Sequence, residues 1–366
     1  MDLKIKSAEG SYLFDEYGKK YINLSESINI LGHRNPVLLK IVDSYLREGY
    51  IHYPITISQP DIKDKIESKL LNISNIKEGN AIFSSSGSEA CDISLSILSE
   101  FGPVITIQNS YHGLCGQFLI KNQFDKLKYK ENFVIPFPYS SEVLNDIREL
   151  VKKGAKSIII EVIQVEGGIR EVYNGFIKDL RNEFPDLLIA IDEVYTGMGK
   201  TGKVFAYQWQ NFVPDILVLG KAIGGGIPLG ITLINKQLYS KSHFIRVIRN
   251  NAFGSTSGNI LGLNLSYYIL NLISKDQFLD DVNKKSRLFK NTLGVEFSNL
   301  ISGKGLILGI KIPKNVIDEY IEELIKDGVY VTKMNDAIRI SPPLTIPEEL
   351  IIEAGEKIKK LYKIFI

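Results

Sequence analysis

The 366-residue sequence has little of several features that mark particular classes of protein. It contains only two cysteines, Cys91 and Cys115, too few for a disulfide framework and in keeping with a reducing compartment. The formal net charge of +2 gives no electrostatic reason to expect binding to nucleic acid or to a membrane surface. No apolar run approaches the length of a membrane span, and the first residues lack the apolar core of a signal peptide. We therefore expect a cytoplasmic protein that binds neither nucleic acid nor membranes.

The remaining composition is that of an ordinary globular protein. Hydrophobic residues make up 44% of the chain and charged residues 23%. A chain of this length can bury a large core and is expected to form one large domain and a smaller one. There are no internal repeats or low-complexity tracts, and we predict no metal site.

Two apolar runs each end in a residue that can do chemistry. Residues 187–191 show no alternation, which is typical of a strand buried on both faces, and Asp192 follows them. Residues 216–219 form a similar run, followed by Gly220 and Lys221. In open α/β sheets the carboxyl ends of neighbouring strands meet at one crevice. Pyridoxal phosphate uses such a pair, a lysine for its Schiff base and an anion to keep its ring nitrogen protonated. Each residue alone has a simpler explanation, Asp192 as a cap and Lys221 on a solvated edge.

The residues around this pair carry a stronger signal. Residues 192–202 (DEVYTGMGKTG) and 214–230 (PDILVLGKAIGGGIPLG) resemble the signature of the class III pyridoxal-phosphate aminotransferases, which include ornithine, acetylornithine and 4-aminobutyrate aminotransferases. The resemblance implies that Lys221 is the Schiff-base lysine and Asp192 the partner of the ring nitrogen. It also implies fold type I, an α/β fold in which helices sandwich a mainly parallel seven-stranded sheet and a smaller α/β domain follows. The expected division is an N-terminal segment (1–45) packing with the small domain, a large cofactor-binding domain (46–258), and a linking helix with the small domain (259–366).

The cofactor phosphate is expected at residues 82–90, where a strand ends in small hydroxyl residues and glycine and a helix begins. Free amides at a helix start suit a phosphate dianion. The stretch resembles the family's Asn-Ser-Gly-x-Glu-Ala motif with Ser85 in place of Asn, which assigns the phosphate to Gly87 and Ser88. Ser86 is expected beside them in the cofactor site, although it could also simply cap the helix.

The cofactor ring is expected between two side chains. In the family an aromatic-His-Gly motif supplies an aromatic that stacks on the ring, which gives Tyr111 that role and His112 a supporting one. Val194 is then expected on the opposite face, and Tyr195 replaces a glutamine common in the family. From its chemistry, the Tyr195 phenol could hydrogen-bond the 3-oxygen of the cofactor. Glu161, in a motif that resembles Glu-Pro-x-Gln-Gly-Glu-x-Gly, is expected to fix hydrogen bonds in the site.

Residues on the substrate side follow from the same resemblance. Arg339, before a Pro-Pro-Leu sequence, is the expected anchor for a substrate carboxylate, or for Glu166 when no substrate is bound. Leu114 stands where many members have an arginine that grips a carboxylate, which argues against dicarboxylates and 4-aminobutyrate as donors. Thr256 lies in a loop that resembles His-Gly-Ser-Thr-x-Gly-Gly-Asn, with Phe253 for histidine, and implies a homodimer in which this threonine reaches the neighbouring subunit's phosphate.

The predicted function is that of a ping-pong aminotransferase that moves an amino group from an ω-amino acid of the acetylornithine or ornithine type to an oxo acid, with 2-oxoglutarate as the expected acceptor. The Lys221 amine is expected to transfer the proton as general acid and base. Two alternatives stay open. One is an aminomutase or racemase on the same scaffold, since the Gly220-Lys221 sequence also resembles glutamate-semialdehyde aminomutase. The other is a catalytically idle binding protein with the same fold.

Overall fold

The computed structural model describes residues 3–48, 60–116, 133–248 and 254–365, and all structural statements concern these residues. The strands are β1 Ile5–Glu9, β2 Tyr12–Asp15, β3 Lys20–Asn23, β4 Gly79–Ser84, β5 Val104–Ile107, β6 Val134–Ile135, β7 Ser157–Ile160, β8 Ile163–Gln164, β9 Arg170–Glu171, β10 Leu188–Asp192, β11 Ile216–Leu219, β12 Gly230–Asn235, β13 Ile301–Lys304, β14 Ile307–Lys311, β15 Val329–Tyr330, β16 Thr332–Met334 and β17 Ala337–Ile340. The α-helices are α1 Pro36–Arg47, α2 Pro60–Ser74, α3 Gly87–Ser99, α4 Val143–Lys152, α5 Phe176–Glu183, α6 Lys236–Lys241, α7 His243–Val247, α8 Ile260–Ile273, α9 Asp276–Leu293, α10 Ile317–Lys326 and α11 Glu348–Phe365.

A seven-stranded sheet forms the centre of the molecule, in the order β4-β12-β11-β10-β7-β5-β6. The pairs on the β6 side of β11 are parallel, and β12 runs antiparallel to both of its neighbours. The sheet therefore confirms the expected mainly parallel α/β fold. The apolar runs predicted from residues 187–191 and 216–219 are β10 and β11, and each is buried over most of its length.

Both faces of this sheet are covered, which explains why its strands show no polar alternation. Ala190 and Val218 face one apolar cluster, which includes residues of α3. Their neighbours Ile191 and Leu217 face the larger cluster on the opposite side. Since side chains alternate along a strand, a strand between two apolar layers needs apolar residues at every position.

The C-terminal part of the chain builds a second, antiparallel sheet in the order β13-β14-β17-β16. The N-terminal strands form a third sheet, β1-β2-β3-β15, in which Ile22 of β3 pairs in parallel with Val329. The N-terminal segment therefore packs on the C-terminal part of the chain. The expected boundaries of the three parts stay a prediction.

The topology brings functional residues to one edge of the central sheet. In the parallel registers, Ile160 of β7 lies beside Ile191 of β10, and Asp192 lies beside Val218 of β11. The residues that follow these strands, including Glu161 and Lys221, therefore leave the sheet at the same edge. In the described part of the chain, helices long and apolar enough to cross a bilayer are absent.

Candidate active site

A cavity of about 370 Å³ opens at this edge of the sheet. Its walls bring together most of the residues expected at the cofactor: Ser86, Gly87, Ser88, Tyr111, His112, Glu161, Asp192, Val194, Tyr195 and Lys221. Glu166 lies at the same cavity. Residues from six separate stretches of sequence therefore converge on one site.

Asp192 is a buried carboxylate held by three donors. His112 Nδ1 lies 2.7 Å from Asp192 Oδ2, and the Cys91 thiol donates to the same oxygen at 3.3 Å. The Val194 amide donates to Oδ1 at 2.9 Å. Burial alone would raise the pKa of Asp192, but the hydrogen bond and charge of His112, with the Val194 amide, hold this pKa below its ordinary value. Asp192 is therefore a fixed negative charge at the floor of the cavity.

Glu161 has the opposite character although it lies in the same cavity. Burial and the charge of Asp192 raise the pKa of the Glu161 carboxyl well above its ordinary value. Its Oε2 accepts a hydrogen bond from the Tyr111 amide at 3.0 Å, which ties the end of β7 to the turn after β5. Of the two carboxyl groups, Asp192 is therefore the one whose environment favours the ionised form, and Glu161 the one whose environment favours the protonated form.

Lys221 begins a short 3₁₀ turn directly after β11, and its backbone φ is +45°. A non-glycine residue with positive φ is uncommon, and such strain often marks a functional position. Burial lowers the pKa of the Lys221 amine, while Asp192 and Glu161 oppose that shift. The Lys221 Nζ lies 4.6 Å from the centre of the Tyr195 ring. The amine therefore lies in the cavity in a state suited to proton transfer.

Three strand ends meet in close backbone contact beside Lys221. A Cβ on Gly87 would lie 2.6 Å from Val194 Cγ1, and a Cβ on Gly220 would lie 2.6 Å from the Gly87 Cα. Only glycine fits at these two positions without movement of its neighbours. The Ser86 side chain caps α3 by accepting from the Glu89 amide at 3.1 Å. The helix start beside Gly87 therefore faces the cavity at close range, as anion binding by backbone amides requires.

Tyr195 lines the cavity and contacts Arg339, which is not itself among the residues that line the cavity. Its side chain is buried, and burial raises the pKa of its phenol, so the hydroxyl keeps its proton. The Arg339 Cζ lies 5.3 Å from the ring centre. Among the residues that the structure describes, none forms a hydrogen bond or an ion pair with the Arg339 guanidinium.

Glu166 lies at the mouth of the cavity and is exposed. It also lines an outer, more open cavity of about 600 Å³, whose other walls are Asn109, Ser110, Tyr111, Leu114, Gly167 and Asn335. An ion pair between Glu166 and Arg339 is absent from the described part of the chain, and the expected pairing of these residues stays a prediction. Leu114 is 47% exposed at this mouth.

Thr256 lies near the turn between β4 and α3 of its own chain, where the cofactor phosphate is expected. Its Oγ1 is 3.0 Å from the Ser85 Oγ, at the turn between β4 and α3. Phe253, which is part of the same predicted motif, lies outside the described residues. The loop thus reaches the candidate phosphate site of its own chain.

One group in the site has the residue types of a metal centre. Ligand atoms of Cys91, His112 and Asp192 lie within 4.8 Å of one another. Two ligands of a bound zinc ion lie roughly 3–4 Å apart, whereas His112 and Asp192 approach to hydrogen-bond distance. The group is therefore arranged as a hydrogen-bond network around Asp192.

Sequence reasoning did not single out Cys91 and Ile28, which line the cavity, or Lys200, which lies beside it against Tyr195. Cys91 follows Gly87 by four positions, so helical spacing could have identified it as facing the cavity. Ile28 lines the cavity from the N-terminal segment, and no local pattern signals this. Lys200 is fully buried, with its Nζ 4.8 Å from the Tyr195 ring centre, although lysines are almost always exposed.

Comparisons with known proteins identify the family of this chain. The family model "Aminotransferase class-III" matches residues 1–362. The chain is 30% identical to acetylornithine aminotransferase of Bacillus cereus, over 96% of this chain and 92% of that protein. It is also 30% identical to the [LysW]-aminoadipate semialdehyde/glutamate semialdehyde transaminase of Sulfolobus acidocaldarius, over 98% of this chain and 94% of that protein.

Solved structures of other proteins are similar to this chain over its whole length. Adenosylmethionine-8-amino-7-oxononanoate aminotransferase from Methanocaldococcus jannaschii is similar over 100% of this chain and 94% of that one, with a TM-score of 0.86 and 25% identity. A transaminase from the marine bacterium Virgibacillus has a TM-score of 0.88 over 100% of this chain and 93% of that one, and at 18% identity it supports the fold alone. With a family model that spans nearly the whole chain, the protein belongs to the class III aminotransferases.

Proposed function

We propose that the protein is a pyridoxal-phosphate-dependent aminotransferase whose reacting amine is Lys221. The observation that carries this proposal is the cavity in which the Lys221 amine, the ionised Asp192 carboxylate and the start of α3 face one another. A lysine, an anion and free helix amides are the three groups that this cofactor needs from a protein.

The residues present fit the cofactor. The lack of side chains at Gly87 and Gly220 lets the start of α3 pack closely against Val194 and the residue before Lys221, and Gly87 and Ser88 line the cavity there. Gly87 and Ser88 would hold the phosphate, with Ser86 and His112 supporting the site. Tyr111 and Val194 would flank the ring, Asp192 would face its nitrogen, and Glu161 and Tyr195 would complete the polar contacts.

The bound cofactor supplies an aldehyde and an electron-withdrawing ring, and the protein supplies proton transfer and electrostatics. The lowered pKa of Lys221 increases the fraction of neutral amine, which can take a proton from a substrate carbon as general base. The Asp192 charge needs no rearrangement during the reaction, because its three donors already fix it. Burial and the charge of Asp192 raise the pKa of Glu161, which favours its neutral form beside the Asp192 charge.

Arg339 is the proposed anchor for the substrate carboxylate, because its guanidinium has no counter-ion in the described part of the chain. Guanidinium and carboxylate form strong two-pronged contacts. We further propose an ω-amino acid donor of the acetylornithine or ornithine type and 2-oxoglutarate as acceptor. The names of several similar proteins support this choice. Glu166, which lies at the mouth of the cavity, is the second residue that we propose to contact the substrate.

We also propose a homodimer in the cytoplasm. Helix α1 is strongly amphipathic but buries none of its residues within the chain, and Leu46 is 65% exposed. A second subunit would cover such a surface. Thr256 is the residue proposed to contact the phosphate bound in the neighbouring subunit. Within its own chain, its hydroxyl lies at hydrogen-bond distance from Ser85, so the alternative is that Thr256 serves the phosphate site of its own chain. Both cysteines are free thiols, in keeping with a reducing compartment.

The test uses protein loaded with pyridoxal phosphate and single amine donors. The donor alone should convert the cofactor to its amine form, and an added oxo acid should be required for repeated turnover. In Lys221→Ala we expect turnover to fall by more than about 10⁴-fold. A wild-type enzyme that turns over without an oxo acid would point to an aminomutase or racemase, and a protein that binds no cofactor would contradict the proposal.

A further inference from the structure

Lys200 lies where three separate parts of the chain meet. Its Nζ donates to the Glu26 carbonyl at 2.6 Å and lies 2.9 Å from the Ser341 Oγ. The Ser341 hydroxyl donates to the same Glu26 carbonyl at 2.9 Å. The three groups form a closed triangle of hydrogen bonds, and all three residues are buried.

Backbone hydrogen bonds reinforce this junction. The Glu26 amide donates to the Ser341 carbonyl at 2.7 Å, and the Ser341 amide donates to the Leu24 carbonyl at 2.6 Å. The Leu306 amide donates to the Lys200 carbonyl at 2.8 Å. Lys200 lies in the turn that follows β10 (residues 193–202), and its hydrogen bonds link this turn to the N-terminal segment and to the end of β17.

The junction lies next to the substrate side of the cavity. Arg339 is on β17, two residues before Ser341, and Ile28, two residues after Glu26, lines the cavity. The Tyr195 ring is close to both Lys200 and Arg339. The Lys200 Nζ lies 4.8 Å and the Arg339 Cζ 5.3 Å from the ring centre. A shift of the junction would therefore move the arginine relative to the cavity.

A lysine at this position is costly to bury. Burial lowers the pKa of Lys200 to about 7, with Arg339 and Lys221 adding to the shift and Glu26 opposing it. A methionine or leucine would fill similar space without losing the hydration of an amine. Such a cost is expected where the hydrogen bonds of the amine hold parts of the chain in a required arrangement.

We propose that Lys200 is a positioning residue for the substrate carboxylate site, because its bonds to Glu26 and Ser341 fix the end of β17 and hold Arg339 against Tyr195. The inference rests on the proposed role of Arg339 in carboxylate binding. It assigns Lys200 no part in proton transfer or cofactor attachment, so its effects are confined to the binding of carboxylate-bearing substrates.

The test compares the cofactor-loaded variants Lys200→Met, Ser341→Ala and Lys285→Met with wild type. Lys285 is the control, a buried lysine that donates to the Leu344 carbonyl at 2.9 Å and pairs with Asp281 at 2.6 Å. In Lys200→Met we expect the KM for an amino acid donor to rise roughly 10-fold, while kcat and the affinity for pyridoxal phosphate change less than about twofold. Ser341→Ala should raise KM in the same way but less. Lys285→Met should lower Tm and leave KM unchanged.

The outcomes separate this inference from the proposed function. A wild-type protein without transaminase activity would contradict the proposed function. An active wild type, with Lys200→Met and Ser341→Ala both showing the unchanged KM of Lys285→Met, would overturn the role of Lys200. A Lys200→Met variant that lost kcat and affinity for pyridoxal phosphate as strongly as it raised KM would also overturn this role. A residue that only positions Arg339 should change neither kcat nor cofactor affinity. If Lys200→Met does not fold, the KM of Ser341→Ala decides.

Discussion

The proposed cofactor and substrate ends of the active site differ in how their charged side chains are satisfied. At the cofactor end, the Asp192 carboxylate is 5% exposed and accepts hydrogen bonds from Cys91, His112 and Val194. At the substrate end, the Arg339 guanidinium is half-buried and has no hydrogen-bond or ion-pair partner among the described residues. Asp192 thus has its hydrogen-bond partners within the chain, whereas Arg339 is a cation without an anion among the described residues. We infer that the charge at the proposed cofactor end is preorganised, while the proposed substrate end is completed by what binds there.

The largest effect after loss of Lys221 is expected at the preorganised end. Asp192→Asn keeps the shape of the side chain but removes its charge, and we expect kcat to fall roughly 10²–10³-fold. The KM for the amino donor should change little, because the proposed anchor of the donor is Arg339, and Asp192 is bonded to Cys91, His112 and Val194. Steady-state kinetics of the loaded variant measure both quantities. A kcat close to that of wild type would show that the buried charge is not part of the reaction.

A smaller and different effect is expected at the substrate end. Arg339→Gln should raise the KM for carboxylate-bearing donors roughly 10- to 100-fold, because a charged hydrogen-bonding partner is lost. Its kcat should fall less than that of Asp192→Asn. Arg148→Gln is the control, since Arg148 is a surface residue paired with Glu183. If Arg339→Gln lowered kcat as strongly as Asp192→Asn, the proposed division between the two ends would be wrong.

The smallest effect concerns the N-terminal segment that supports the substrate end. Burial would raise the pKa of Glu26, but the contact with His33 and the amides of Asn29 and Ile28 lower it to about 2. The ionised form therefore stabilises the fold above pH 4.5, and this stability is lost as the pH falls from 4.5 toward 2. We expect Glu26→Gln to lower the free energy of unfolding by roughly 1–3 kcal/mol at pH 7.

Urea denaturation of wild type and Glu26→Gln at several pH values between 7 and 3 measures this linkage. The difference between the two proteins should shrink steadily below pH 4.5. A difference that is constant over this range would mean that the Glu26 charge does not contribute, and that any loss comes from packing alone.

The same contrast explains what the sequence could predict. The runs that became β10 and β11 are local patterns, so the positions of Asp192 and Lys221 at one sheet edge followed from two continuous apolar runs and the expected parallel pairing. Lys200 and Glu26 could not be found in this way. They meet because the fold brings the residues after β3 beside Ser341, which follows β17, and the Lys200–Glu26 hydrogen bond spans 174 residues of sequence. Nothing in the residues around a lysine shows that distant carbonyl groups will surround it.

Chemical trapping of the cofactor tests the central claim most directly, because two lysines lie within 5 Å of the Tyr195 ring centre, Lys221 at 4.6 Å and Lys200 at 4.8 Å. The protein is loaded with pyridoxal phosphate, treated with borohydride to make the covalent link permanent, digested and analysed by mass spectrometry. We predict that the added mass lies on the Lys221 side chain and is absent from that position in Lys221→Ala. A label on Lys200 in the wild-type protein, or no label on either lysine, would contradict the account.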